Sequence, residues 1–360
     1  MESLVMRQEL AIFAGKRVLV TGDTGFKGSW LCFWLTELGS EVVGYALPPE
    51  GPESLFNLLG LSRLIRHVDG DVRDLSHLQK VFQEFQPEFL FHLAAQSQVL
   101  VSYQEPKTTF DTNVAGGVNV LEAIKHTPSL RAVIFVTSDK CYLNKEWVWG
   151  YRENDELGGH DPYSASKAAV ELVLAAYWKS FFAAEPNLGL ASVRAGNILG
   201  GGDWAQNRIV PDIIRALIKG VPVTLRNPAA TRPWQHVLDP LYGYMLLATR
   251  LHASPQEFSG PMNFGPSGEA IRTVRDLTQH IHTYWQGGTI QEEKLQQTSH
   301  EAGLLHLNCD KARRILDWAP QWDFDRTVRE TTWWYKQVAG GESAPVVTRQ
   351  QIADYLGAGN

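Results

Sequence analysis

Lys16-Arg17-Val18-Leu19-Val20-Thr21-Gly22-Asp23-Thr24-Gly25-Phe26-Lys27-Gly28-Ser29-Trp30-Leu31 is the stretch on which the fold turns. Its first six residues read as a buried strand. Gly22-x-x-Gly25-x-x-Gly28 follows directly and opens a helix through Ser29-Trp30-Leu31. Glycine lets the backbone turn tightly and approach a pyrophosphate, whose charge then meets a helix N-terminus. Without a ligand the same spacing is only a tight turn; a strand before it and a helix after it favour the binding reading. Lys27, inside the loop, either adds a charge near phosphate or stands as a solvated surface lysine.

Outward from this loop, short apolar strands recur. They are Glu41 to Ala46, Leu64 to Val68 leading into Asp69-Gly70-Asp71-Val72-Arg73, Phe89 to Leu93, Ala132 to Val136, and Leu190 to Arg194. Helical patterns separate them at Leu75 to Phe85, Thr112 to Lys125 and Tyr163 to Lys179. Strands alternating with amphipathic helices imply an α/β fold with a doubly wound parallel sheet, here of the Rossmann dinucleotide type. After Arg194 the texture changes: Gly196 to Gln206 is glycine-rich, Ile209 to Ile214 is helical, and Val221 to Pro233 is studded with proline. A smaller C-terminal α/β lobe for substrate should begin there. The expected division is 1–195 for the dinucleotide domain, with 237–260 returning to it, and 196–360 for the second lobe. Gly357-Ala358-Gly359-Asn360 reads as a loose end.

Composition excludes several classes. The chain has 360 residues, a net charge of -6 and a pI near 6.0, which argues against a nucleic-acid-binding surface. Cys32, Cys141 and Cys309 give neither a disulfide framework nor metal spacing, so no metal is expected and a reducing cytoplasm is the simplest location. No apolar run approaches the ~20 residues of a membrane span, and Met1 to Ala14 lacks a signal-peptide core. Among the tryptophans, Trp149, Trp204 and Trp234 sit in loop-like sequence, where stacking on a ligand competes with simple bulk.

The chemistry is carried by Val136-Thr137-Ser138-Asp139-Lys140-Cys141-Tyr142 and Tyr163-Ser164-Ala165-Ser166-Lys167. Four-residue spacing puts Tyr163 and Lys167 on one side of a helix. An ammonium there stabilises phenolate and lowers a tyrosine pKa from its usual ~10, giving a base for an alcohol proton. Ser138 falls near a strand's carboxyl end, where ligands of such sheets bind. Oxidation needs only the tyrosine and lysine, so Asp139 and Lys140 suggest a second proton transfer; the bland alternative is a surface ion pair. A general acid must hold a proton that an amine base lacks. Burial disfavours both charges and moves the proton toward the carboxylate, so the two should titrate as a coupled unit.

The second strand leaves the cofactor open between NAD and NADP. It ends Tyr45-Ala46-Leu47-Pro48-Pro49-Glu50, with neither an acid for a ribose hydroxyl nor an adjacent arginine for a 2'-phosphate. Asp71-Val72 either meets the adenine or begins a helix, with Asp71 or Asp74 as its cap.

Together, the glycine loop, Asp71-Val72, His92-Leu93-Ala94-Ala95, Asn113, Ser138, Tyr163/Lys167 and Asn197 resemble the extended short-chain dehydrogenase/reductase family, from about Lys16 to Tyr335. Within it, Ser138-Asp139-Lys140 stands where dTDP-glucose and GDP-mannose 4,6-dehydratases carry Thr-Asp-Glu, a pair that epimerases lack. Arg194 to Trp204 and Arg232-Pro233-Trp234-Gln235-His236-Val237 are similar to the sugar-nucleotide dehydratases that act on CDP-D-glucose. The resemblance implies NAD held by Gly22, Thr24, Gly25, Phe26, Lys27, Gly28, Asp71, Val72, Leu93, Ala94, Ala95, Gln96, Asn113, Tyr163 and Lys167. It implies catalysis by Ser138, Asp139, Lys140, Tyr163 and Lys167. The nucleotide sugar would meet Gln98, Ser138, Asn197, Arg208, Arg232, His236 and Asn263, although Arg208 also reads as a solvated helix end. A homodimer or dimer of dimers is implied, pairing through helices like Thr112–Lys125 and Tyr163–Lys179. Two competing readings are a 4,6-dehydratase or 4-epimerase for another nucleotide sugar, and a non-catalytic dinucleotide-binding protein, since fold does not fix function.

Overall fold

The structure, a computed structural model, describes residues 8–225, 227–292 and 305–357. Of the end expected to be loose, residues 358–360 lie outside the described residues, as do residues 1–7 of the N-terminal stretch. The central sheet has strands β1 (Arg17–Thr21), β2 (Glu41–Ala46), β3 (Arg66–Asp69), β4 (Phe89–His92), β5 (Ala132–Val136) and β6 (Gly189–Arg194). A short edge strand, Met262–Asn263, completes it. The order is β3-β2-β1-β4-β5-β6 and then the edge, with every pairing parallel.

The strands are apolar on both faces because both are covered by helices. β4, β5 and β6 are buried at every position. Leu19, Val133, Phe135 and Leu190 pack into one core with Phe82 and Leu121. Val18, Val20, Ile134, Val136 and Val193 pack into the other, with Trp30, Trp34 and the helix Leu238–Ala253. That helix lies against β5 and β6, and Met262–Asn263 then pairs with β6, so this stretch is packed with the first sheet. Helices Val274–Trp285, Phe324–Ala339 and Ala344–Tyr355 pack in succession beyond it.

The sheet reverses its order between β1 and β4, where Thr21 stands beside His92. A ligand crevice opens at such a switch point, outside the strands' carboxyl ends. Among the described residues no helix is long and apolar enough to cross a membrane.

Candidate active site

The glycine loop fits a dinucleotide for reasons visible in its packing. Gly22 has φ +79°, and a Cβ on it would meet the Ala94 amide nitrogen at 2.7 Å. A Cβ on Gly28 would overlap the Gly22 carbonyl. The loop is therefore pressed against Leu93-Ala94 at the switch point. Helix Phe26–Glu37 starts on Gly25, with no side chain capping its first amides. Those amides form a ready anion site, and a pyrophosphate suits it. Thr24 donates to the Leu47 carbonyl (2.9 Å), while Phe26 packs against the core.

The helix cap after β3 is Asp74, which accepts from the His77 amide at 3.0 Å. Asp71 instead binds the Arg73 guanidinium, with Nη2 at 2.6 Å, which holds its carboxyl below the usual range. Val72 is buried beside it. Asn113 sits in a π-helical turn, Asp111–Ala115. It accepts from the Gln96 amide (2.8 Å) and donates to the Gln96 carbonyl (3.0 Å) and Ser166 hydroxyl (2.9 Å). It thus ties the segment after β4, including Ala95, to the Tyr163 helix.

At the end of β5, Ser138 caps a single 3-10 turn, Asp139–Cys141. Its hydroxyl accepts from the Lys140 amide (3.2 Å) and donates to Asp139 Oδ1 (3.0 Å). Ser138 and Asp139 are buried, whereas Lys140 is half-buried. Tyr163 and Lys167 enter from helix Pro162–Tyr177, whose start is fixed by Asp161 accepting from the Ser164 amide (2.9 Å) and by Pro162 in its first turn. Both side chains are buried.

The expected lowering of the tyrosine pKa does not arise in this state. Burial pushes the Tyr163 phenol up to about 12; Ser138 and Arg208 pull it down, and Asp139 pushes it up. Lys167 is turned to the Val136 carbonyl at 3.4 Å. Burial pushes its ammonium down to about 8, opposed by the Glu171 carboxylate. Lys27 is no solvated bystander: burial, Lys167 and Arg208 push it down to about 7, while Asp139 pulls it up. His92 is neutral, pushed down to about 3 chiefly by burial.

One residue set escaped the sequence reading. Glu171 stands one turn beyond Lys167, fully enclosed, and binds Arg194 by two bonds (2.9 and 2.8 Å) and the Ser192 hydroxyl (2.7 Å); the Thr137 hydroxyl also donates to it. Arg194 continues to the Tyr142 hydroxyl (2.8 Å). The network fastens the Tyr163 helix to the ends of β5 and β6. The signal was the same four-residue step that links Tyr163 to Lys167.

The expected substrate residues divide. Arg208 stands at the start of helix Ile209–Lys219 with its side chain part-exposed, and it bonds Asp203 (2.9 Å) and reaches Ser97 (3.4 Å). Asn197, with φ +51°, Gln98 and Arg232 are part-exposed, in loops or short strands. His236 differs from expectation: it is fully buried, its ring 4.5 Å from Trp322, and Nδ1 accepts from the Leu238 amide (3.3 Å). Asn263 differs too. Its amide is consumed by Tyr142 (2.8 Å) and by the carbonyls of Tyr151 (2.8 Å) and Asn308 (3.1 Å). Both are residues of short strands, Met262–Asn263 and Gln235–His236, and the core claimed them. Trp234 is likewise a core residue, donating to the Arg272 carbonyl (3.1 Å), and Trp204 packs edge-on to Tyr335. Trp149 alone of the three is exposed, at 69%.

Known proteins are similar to this chain in sequence and fold. The chain is 46% identical, over 96% of its length and 97% of the relative's, to the CDP-glucose 4,6-dehydratase of Salmonella typhimurium. It is 24% identical to the dTDP-glucose 4,6-dehydratase of Xanthomonas campestris, over 88% of this chain and 92% of that one. The crystal structure of Bacillus anthracis dTDP-glucose 4,6-dehydratase in complex with NAD superposes with a TM-score of 0.75 at 21% identity, covering 92% of this chain and all of that one. Thermus thermophilus UDP-glucose 4-epimerase in complex with NAD gives 0.74 at 25%, covering 89% and 99%. Epimerases and dehydratases thus share the fold, and the fold cannot separate them. The family profile described as GDP-mannose 4,6 dehydratase matches residues 19–331, from the first strand into helix Phe324–Ala339. With that match and the near full-length relative, the chain belongs to the GDP-mannose 4,6 dehydratase family.

Proposed function

We propose that the chain converts CDP-D-glucose to CDP-4-dehydro-6-deoxy-D-glucose and water, with NAD as its cofactor. The observation that carries this is the 46% identity to a CDP-glucose 4,6-dehydratase along nearly the whole chain. The clustering of Asp139 with Ser138 and Tyr163 supports it, since the second proton transfer needs an acid there. NAD would rest its pyrophosphate on the amides of the Gly25 helix start; when bound, it supplies a reversible hydride acceptor for C4 and donor for C6.

The protein's own groups handle the protons. Tyr163 takes the 4-hydroxyl proton while Ser138 bonds the 4-oxygen. For that, the phenol must come down from about 12, and the cations available are Arg208, already acting on it, and Lys167, now turned to Val136. A ketone at C4 acidifies C5, so Lys140 removes the C5 proton as Asp139 protonates the departing 6-hydroxyl. The Lys140 ammonium exchanges its protons with solvent and delivers one to C5 when C6 is reduced. Arg208 and Arg232 suit the diphosphate, because a guanidinium fork matches phosphate oxygens.

We also read the chain as a cytoplasmic homodimer or dimer of dimers, pairing through helices 112–125 and 163–179. Exposed Phe110, Leu172 and Phe181, on and beside those helices, support the pairing. Three buried, free cysteines suit a reducing compartment.

The test uses C4-deuterated CDP-glucose beside dTDP-glucose and GDP-mannose. The label should reappear at C6, and C5 should take up solvent hydrogen. CDP-glucose should show much the highest kcat/KM, because a site bonded to one base leaves polar groups unpaired with another. Equal rates would remove the cytidine preference; a label lost to bulk cofactor would remove the dehydratase reading.

A further inference from the structure

We infer that Gly196 is a positioning residue for Asp139: its missing side chain is what lets the acid of the site lie where it does. This rests on the dehydratase reading for its consequence but on packing for its substance. Asp139 opens the 3-10 turn after β5 and Gly196 follows β6, so the two meet across neighbouring parallel strands. A Cβ on Gly196 would overlap Asp139 Oδ2, Cγ and Oδ1. The carboxylate lies flat on the bare glycine, with Ser138 donating to its Oδ1.

The glycine cannot retreat. Its carbonyl accepts from Gln235 Nε2 (3.1 Å), and the same amide group donates to the Phe264 carbonyl (3.1 Å). Gln235 is itself buried. On either side, the Ala195 carbonyl accepts from the Asp139 amide (3.4 Å) and the Asn197 carbonyl from the Gln235 amide (3.3 Å). Backbone on both partners is held, so a methyl group at 196 must be accommodated by rotating the Asp139 side chain. Rotation breaks the Ser138 bond and carries the acid away from the sugar's C6 oxygen. Tyr163 lies on another element, and the three atoms nearest a Cβ at 196 all belong to Asp139. The substitution should therefore separate the two halves of the reaction, sparing C4 oxidation and blocking elimination.

The experiment compares wild type, Gly196→Ala, Asp139→Asn and the double variant Asp139→Ala/Gly196→Ala. Gly196→Ala should lose turnover of CDP-glucose by about 10²-fold, the low end for a displaced general acid. On mixing with substrate it should accumulate reduced nicotinamide, seen by its near-ultraviolet absorbance, as should Asp139→Asn. It should melt below wild type, and the double variant should melt above it, because removing the carboxylate removes the overlap. A folded Gly196→Ala enzyme with near wild-type turnover overturns the inference, as does one that fails to oxidise C4. A double variant melting no higher than the single also overturns it, and this arm decides the matter even where Gly196→Ala is too unstable to assay. Wild-type protein inert toward CDP-glucose would count against the dehydratase reading, while the melting comparison still judges Gly196.

Discussion

Glu171 and Asp239 are both buried carboxylic acids, and their surroundings drive them in opposite directions. Glu171, beneath the site, is held below its ordinary range despite burial, because the Arg194 guanidinium grips both oxygens and two hydroxyls complete the shell. Asp239, on the far side of the second core, is pushed up to about 7. Its Oδ1 accepts from the Gln321 amide (2.7 Å) and the Tyr355 hydroxyl (2.9 Å), while Oδ2 has no hydrogen-bond partner among the described residues. Burial is common to both; a matched cation is not. Enclosure alone argues for a neutral acid, and an adjacent guanidinium reverses it. The charged acid is spent where geometry must be exact to within a side chain, tying the Tyr163 helix to the strands that carry Ser138 and Asn197. The protonated one merely fills a packing layer.

The largest break in this comparison is Glu171→Gln. It leaves Arg194 charged and enclosed without its partner, which should cost about 3–5 kcal/mol in a urea unfolding experiment. It also removes the carboxylate that raises the Lys167 pKa. The ammonium should then lose its proton at lower pH, moving the alkaline limb of the rate profile down; an unmoved or upward limb would dissociate Glu171 from Lys167. A sharper version replaces both partners, Glu171→Leu with Arg194→Met. Much of the lost stability should return, since neither charge remains to be solvated; a double variant as unstable as Glu171→Gln would locate the loss elsewhere in the network.

The smallest effect is expected from Asp239→Asn, and only its pH dependence is informative. Well below pH 3.8 both folded and unfolded chains hold the proton. Above it the unfolded chain releases the proton first, while folded Asp239 keeps it until about 7, so this group makes stability fall as pH rises through that window. Asparagine removes that slope. The variant's melting temperature relative to wild type should climb between those pH values; a difference constant with pH would mean Asp239 is ionised in the fold.

Legibility in the sequence followed the range of the interaction. β2 and β5 fall at Glu41–Ala46 and Ala132–Val136 as read, and helix Leu75–Phe85 likewise, because apolar periodicity is local and strong in those segments. β3 begins at Arg66 rather than Leu64, since its two half-buried central residues give a weak pattern. Tyr163 and Lys167 were legible from helical spacing, yet the phenol's direction of shift was not. Spacing fixes which side of a helix two residues share, but the ammonium's actual partner, Val136, comes from another element. The same limit hid the Gly196–Asp139 contact, which depends on strand register. It also misled the reading of His236 and Asn263, where a polar residue of a short strand answers to the core before it answers to a ligand.

The π-helical turn at Asp111–Ala115 has a consequence for how this chain tolerates insertion and deletion. Residues 106 to 125 run as one unbroken helical rod in which that turn accommodates one residue more than a regular helix would. Deleting a single residue there would let the rod relax into ordinary α-helix with the flanking turns close to their present phase, whereas a deletion from the regular helix beside it would swing everything on one side of the cut by about 100° relative to the other. A deletion between the turn and Lys125 would carry the hydrophobic stripe of Val120, Leu121 and Ile124 away from its core. One-residue gaps in related chains should therefore fall within the turn rather than in the regular helix on either side of it.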